Sequence, residues 1–191
     1  MLDGKTVVFG GSFNPPHRGH ALLCRYLLDE LDAAEVWVVP VNNHPLGKSA
    51  VGFSHRYEMC RLLAASLGPR VVVSDVERRL GGEGRTLDLL KHLLSVHPER
   101  RFALGVGADV LHEADKWHRW DEICQLVPLV VLGREGVERV GVGGAVLAGV
   151  PDLVGISSTE IRGLVRKGED IREFTVPSVA DYIEEWGLYA R

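Results

Sequence analysis

The chain predicts a doubly wound α/β fold: a parallel sheet with helices on both faces and a small helical segment at the C-terminal end. Three observations carry this expectation. Short apolar runs rich in valine recur along the sequence, and stretches with helical spacing separate them. The runs are almost continuously apolar instead of alternating, as strands buried on both faces are. The 191 residues suffice for one domain with a sizeable core.

The first strand is expected at residues 6–9 (T-V-V-F). A helix follows over about 19–31, with Leu23, Leu27 and Leu31 on one stripe and Leu28 beside it. Residues 35–40 (E-V-W-V-V-P) read as the second strand. A second helix opens after Ser54, a residue type suited to an N-cap, and runs through Met59, Leu62 and Leu63 to about Leu67. The third strand is expected at 70–74 and the next helix from near Thr86 to just before Pro98. A strand at 101–106, a helix over about 117–127 and a strand at 129–132 complete the alternation. Residues 133–149 are rich in Gly and Val, and 136–149 reads as a flexible loop or an irregular edge strand. Two short helices follow, at 158–167 and 177–186. Such alternation implies right-handed crossovers and, in the Rossmann-like manner, a ligand site beyond the C-terminal ends of the strands. No repeat or long linker interrupts the chain, so residues 1–191 are expected to form a single domain, with about 156–191 as its C-terminal helical segment.

Composition narrows the function classes. Hydrophobic residues make up 46% and charged residues 25%, as in a globular chain. The formal net charge of −4 gives no global attraction for nucleic acid or for an anionic membrane, although a local basic pocket remains open. No apolar run is long enough to span a bilayer, and the start M-L-D-G-K-T-V-V lacks the layout of a signal peptide. Cys24, Cys60 and Cys124 are odd in number and set in apolar or helical surroundings. Reduced, buried thiols in a cytoplasmic protein are the expectation. Oligomeric state stays open, a homo-oligomer included.

The chemistry concentrates at two places. Residues 10–20 read G-G-S-F-N-P-P-H-R-G-H, at the turn from the first strand to the first helix. Gly10 and Gly11 permit close backbone approach or positive φ, while Pro15 and Pro16 restrict the chain after Asn14. His17 and His20, three apart, can share a helix face. Amides and imidazoles gathered at such a turn suit a polyphosphate. A tight turn with packed histidines also accounts for them, and zinc ligation is a poorer alternative because no Cys or acidic residue stands at ligand spacing. Far along the chain, residues 156–162 read I-S-S-T-E-I-R. Ser157 and Glu160 fit a capping box, and the helix start with Arg162 one turn in favours an anion. In isolation, an ordinary capped helix with a surface arginine explains that segment too.

Together these segments resemble the signatures of the nucleotidylyltransferase superfamily, an H-x-G-H-type turn and an S-T-x-x-R-type helix start. Within it the chain is similar to the bacterial nicotinate-nucleotide adenylyltransferases. G-R-T-L-D-L-L at 84–90 resembles that family's S-Y-T-x-D-T-L, and F-A-L-G-V-G-A-D-V-L with K-W, within 102–117, resembles its G-x-D and downstream tryptophan. V-V-L-G-R-E-G at 130–136 resembles its strand ending in R-P-G. The similarity runs over nearly the whole length in the right order. It implies an enzyme that joins ATP and nicotinate mononucleotide into nicotinate adenine dinucleotide with release of pyrophosphate, in NAD biosynthesis. Magnesium is implied with ATP, held mainly by phosphates and water, with no metal-ligating side chains assigned.

Residue by residue, the resemblance implies that His17, His20 and Arg162 are catalytic. It places Gly10, Gly11, Ser12, Phe13, Ser157, Ser158 and Thr159 at ATP. Lys48, Thr86, Asp109 and Trp117 fall on the acceptor side. Trp117 stacks on the pyridine ring in this reading, or else anchors the fourth helix beside Trp120. Asp109 meets a ribose hydroxyl, or else caps a helix; Asp88 is structural. The chain departs from the family where Ser12 and Asn14 replace Thr and Asp, where Gly84 and Arg85 replace Ser and Tyr, and where V-N-N-H-P-L-G-K at 41–48 replaces P-P-H-K. An enzyme of the same fold with another acceptor, such as nicotinamide mononucleotide or phosphopantetheine, is the second reading. A nucleotide-binding regulator without turnover is the third.

Overall fold

The computed structural model describes residues 2–42, 51–82, 84–107, 116–133, 146–149 and 157–190. Its strands are β1 (Thr6–Gly11), β2 (Glu35–Pro40), β3 (Val71–Val73), β4 (Phe102–Gly107), β5 (Leu129–Gly133) and β6 (Val146–Gly149). They form one sheet in the order β3-β2-β1-β4-β5-β6, with every pairing parallel. The helices among the described residues are α1 (Arg18–Asp29), α2 (Phe53–Ala65), α3 (Val76–Leu80), α4 (Thr86–Val96), α5 (Trp120–Leu126), α6 (Ser158–Arg166) and α7 (Pro177–Glu185).

The continuous apolar runs are explained by two covered faces. Side chains alternate along a strand, so Val7 and Phe9 face one layer and Val8 the other. The first layer packs Cys24, Leu27 and Leu28 of α1 and Cys60 and Ala64 of α2 against Val7, Phe9, Val36, Val38 and Ala103. The second packs Leu87, Leu90 and Leu93 of α4 and Ile123 of α5 against Val8, Val39, Leu104 and Val131. Full burial of each such side chain contributes about 1.5–3 kcal/mol before entropy is counted. A third cluster joins Met59 and Leu63 of α2 to Ile161 of α6 and to Ile171, Val179, Ala180, Ile183 and Leu188. The C-terminal helical segment is therefore docked on α2, away from the sheet.

Several local expectations change. Ser54 does not cap α2: the helix starts at Phe53 with Gly52 as N-cap, and the Gly52 carbonyl accepts from the amides of His55 and Arg56. The Ser54 hydroxyl instead accepts from Arg78 at 3.4 Å. Trp117 lies before α5, because Arg119 holds a left-handed φ of 56° and the right-handed helix can begin only after it. Residues 146–149 are a regular edge strand, with Val130 opposite Val146; the preceding part of 136–149 lies outside the described residues. The five-residue α3 was too short to show a helical period. Cys24 and Cys60 are buried, and burial pushes the Cys24 thiol up to about 12 and Cys60 higher still; Cys124 is only partly buried. No helix among the described residues is long and apolar enough to cross a membrane.

Strand order reverses at β1, which runs beside β2 on one side and β4 on the other. That switch point opens a crevice beyond the C-terminal ends of the strands. The turn from β1 into α1 sits there.

Candidate active site

β1 ends in two glycines whose reasons differ. A Cβ on Gly10 would meet nothing within 4 Å, whereas one on Gly11 would stand 3.1 Å from the Phe13 ring. Neither glycine has positive φ; Phe13 does, at 46°. An aromatic residue in that region costs free energy. Its ring is 2% exposed and packs edge-on to Phe9 and against His20, with centroids 5.7 and 4.9 Å away, and that burial offsets the strain. Phe13 thus supports the turn with a side chain committed to the core.

His17 precedes α1 and His20 lies in its first turn, with ring centroids 3.8 Å apart. The His17 backbone N–H donates to His20 Nδ1 at 3.1 Å. With Nδ1 an acceptor, a neutral His20 carries its proton on Nε2, where it can donate. Gly19 between them is required by this pairing: a Cβ there would lie 3.0 Å from the His17 ring. Burial pulls His17 down to about 4, partly opposed by the Glu160 carboxylate. Burial, and then the neighbouring His17, also holds His20 well below the usual imidazole range. Both rings are therefore neutral near pH 7, each with one N–H to give. His17 Nδ1 is buried, packed where a Cβ on Gly19 would stand 3.0 Å from it.

The late segment comes to the same place. Ser157 Oγ accepts from the Glu160 amide at 3.2 Å, and the Ser157 amide donates to Glu160 Oε2 at 2.7 Å, so the expected capping box forms. Ser158 Oγ donates to the Pro15 carbonyl at 2.8 Å. Arg162 Nη1 donates to the Asn14 carbonyl at 2.8 Å, and its Nη2 to Thr159 Oγ1 at 3.1 Å. The hydroxyls of Ser157, Ser158 and Thr159 thus all have partners within the protein. What α6 still presents is the Ser158 and Thr159 amides of its first turn, which have no intrahelical acceptor, together with the Arg162 charge.

Other residues hold the turn without having announced themselves. Thr175, fully buried, donates to the Pro16 carbonyl at 3.0 Å, and the Arg18 amide donates to Phe174 O at 2.9 Å. Asn14 is 5% exposed, and its Oδ1 accepts from the Tyr189 hydroxyl at 2.8 Å and the Val51 amide at 3.3 Å. An aspartate there would present the same acceptor with a charge. Arg56, 4% exposed, donates to the Ser12 carbonyl at 2.9 Å. Asn14 lay inside a legible motif, but a backbone carbonyl has no residue type, so Arg56 and Thr175 left no signal.

Of the residues that the resemblance assigns to the acceptor, Thr86 opens α4 and Trp117 lies between β4 and α5. Trp117 is partly buried against the second cluster and meets Trp120 edge-on at 5.5 Å. Asp88 stands exposed in the first turn of α4, where a carboxylate favours the helix dipole. Lys48 and Asp109 lie outside the described residues.

A histidine pair at the switch point, closed from the far end of the chain by a capped helix and an arginine, is the geometry of a nucleotidyltransferase. Residues 8–164 match the cytidylyltransferase-like family, which agrees with that class. A probable nicotinate-nucleotide adenylyltransferase of Anaeromyxobacter dehalogenans (strain 2CP-1 / ATCC BAA-258) is 44% identical over 193 residues, covering 99% of each chain. One from Myxococcus xanthus (strain DK1622) is 35% identical, covering 97% of this chain and 94% of the other. The chain belongs to the nicotinate-nucleotide adenylyltransferase family. A Plasmodium falciparum nicotinic acid mononucleotide adenylyltransferase, solved in complex with NaAD, shares the fold at a TM-score of 0.82 and 23% identity, covering 97% and 98% of the two chains.

Proposed function

We propose that this chain transfers the adenylyl group of ATP to nicotinate mononucleotide, giving nicotinate adenine dinucleotide and pyrophosphate in NAD biosynthesis. The observation that carries the reading is the seating of α6 and Arg162 on the His17–His20 turn through the carbonyls of Asn14 and Pro15. Two anion-favouring elements, 140 or so residues apart in sequence, are thereby aimed at one crevice.

In the transfer, a phosphate oxygen of the mononucleotide forms a bond to the α-phosphorus of ATP while the bond to the bridging oxygen breaks and pyrophosphate leaves. The nucleophile is already an anion, so no general base is required. Rate enhancement comes from aligning two anions and from stabilising charge on the transferring group. His20 Nε2–H and the His17 ring donate to ATP phosphates as neutral imidazoles. The Ser158 and Thr159 amides and Arg162 hold the β- and γ-phosphates, with Ser157 fixing the start of the helix. The backbone of Gly10, Gly11, Ser12 and Phe13 lines the nucleotide. Thr86 and Trp117 position the acceptor, and Lys48 and Asp109 belong to that side by resemblance alone. Magnesium bound with ATP would supply neutralisation of phosphate charge. The donors along the turn are imidazoles, a hydroxyl and backbone groups, a set that suits a cation held mainly by phosphates and water.

Pyrophosphate release with ATP and a panel of acceptors tests the assignment. Turnover with nicotinate mononucleotide is expected. Exclusive use of nicotinamide mononucleotide or phosphopantetheine would replace the acceptor, and ATP binding without turnover would indicate a regulator.

A further inference from the structure

Arg56 is a buried cation with no carboxylate paired to it among the described residues. Its guanidinium is spent on three backbone carbonyls from three separate places. Nε donates to Val51 O at 3.0 Å, Nη1 to Ser12 O at 2.9 Å, and Nη2 to Asn42 O at a longer 3.4 Å. Ser12 opens the β1–α1 turn, Asn42 follows β2, and Val51 precedes α2. Asn42 is also held from its other side, since the Glu77 carboxylate, 5% exposed, accepts its backbone N–H. Burying a guanidinium and a carboxylate that do not pair with each other is costly, and an apolar side chain of similar volume would fill either place more cheaply. What the pair supplies is geometry. A planar fork with five donors can fix three carbonyls at once, which a lysine cannot.

We infer that Arg56 is a positioning residue which, with Glu77 on Asn42, locks the nucleotide turn in register with the chain ends flanking the acceptor-side segment. This rests on the adenylyltransferase reading, in which the Ser12 turn binds ATP and the stretch between Asn42 and Val51, which includes Lys48, belongs to the acceptor. Arg56 acts through the backbone it holds, since its donors go to carbonyls. It sets the distance between the two sites, so its loss raises the KM of both.

Steady-state kinetics of the full chain with ATP and nicotinate mononucleotide test this, with thermal unfolding measured alongside. Arg56→Lys keeps the charge but not the fork; both KM values are expected to rise about tenfold, the scale of losing charged hydrogen bonds. Glu77→Ala releases only the Asn42 amide and is expected to raise the acceptor KM while leaving the ATP KM within about twofold, so the two arms separate even if Arg56→Lys fails to fold. Val127→Ala truncates the second cluster, on the sheet face opposite α2, and serves as the purely structural control: lower Tm, unchanged kinetics. Either variant behaving like Val127→Ala, or an Arg56→Lys effect confined to one substrate, overturns the inference while leaving the activity intact. Failure of the wild-type chain to turn over nicotinate mononucleotide removes the underlying reading and this one with it.

Discussion

The two histidines at the switch point owe their behaviour to burial. His17 is held at about 4 by desolvation, against an ordinary value near 6.5. The unfolded chain therefore binds a proton that the folded chain refuses between those two values. Stability contributed by a neutral His17 is fully present above about pH 6.5 and is lost as pH falls toward 4, by at most on the order of 3 kcal/mol. His20 adds to the loss in the same direction. Carboxylates titrate in the lower part of that window as well, so the difference between variants is the readable quantity. A Tm series from pH 7 to 4.5 should fall more steeply in the wild type than in His17→Gln, which cannot take the proton. Parallel slopes would mean that His17 is not buried in its neutral form. A bound polyphosphate opposes the shift, because an anion against the ring favours the imidazolium.

At the scale of elements, the site is a turn gripped from behind by a helix. Ser158 is the handle by which α6 holds Pro15, and Arg162 the one by which it holds Asn14. Ser158→Ala leaves the Pro15 carbonyl without that donor and costs about 1 kcal/mol of stability. Its larger effect should be a rise of several-fold in the ATP KM with kcat nearly unchanged, measured with acceptor saturating, because α6 then docks less firmly while the histidines keep their places. Much of this was readable in advance. Capping-box spacing announced the start of α6, and valine runs announced five of the six strands among the described residues. Limits arose where the deciding interaction carries no residue type. Gly52 caps α2 through its carbonyl, Arg119 delays α5 through a left-handed φ, and α3 is only five residues long. Arg56 could not be assigned because its three partners are carbonyls. Of the two roles open to Gly10 and Gly11, close backbone approach or positive φ, the second falls instead to Phe13.

Across the whole molecule, the placement of the turn depends on three apolar clusters. The two sheet faces fix β1 and α1, and the third cluster docks the C-terminal helices so that Thr175 and Tyr189 reach the turn from the end of the chain. In the proposed assignment the ATP side draws on both ends of the sequence and the acceptor side on its middle. This division explains why adenylyl transfer was the firmer part of the sequence reading: its residues sit in two compact motifs. The residues proposed for the acceptor are scattered, and two of them, Lys48 and Asp109, lie outside the described residues. The central claim is transfer to nicotinate mononucleotide driven by the histidine turn. It is tested most directly by offering ATP with equal amounts of nicotinate and nicotinamide mononucleotides and identifying the dinucleotide formed. The account predicts the deamido product in excess, and a loss of roughly a hundredfold or more in its rate for His20→Ala, the scale of removing a transition-state donor. Formation of the amidated product in preference, or an undiminished rate in the variant, would contradict it.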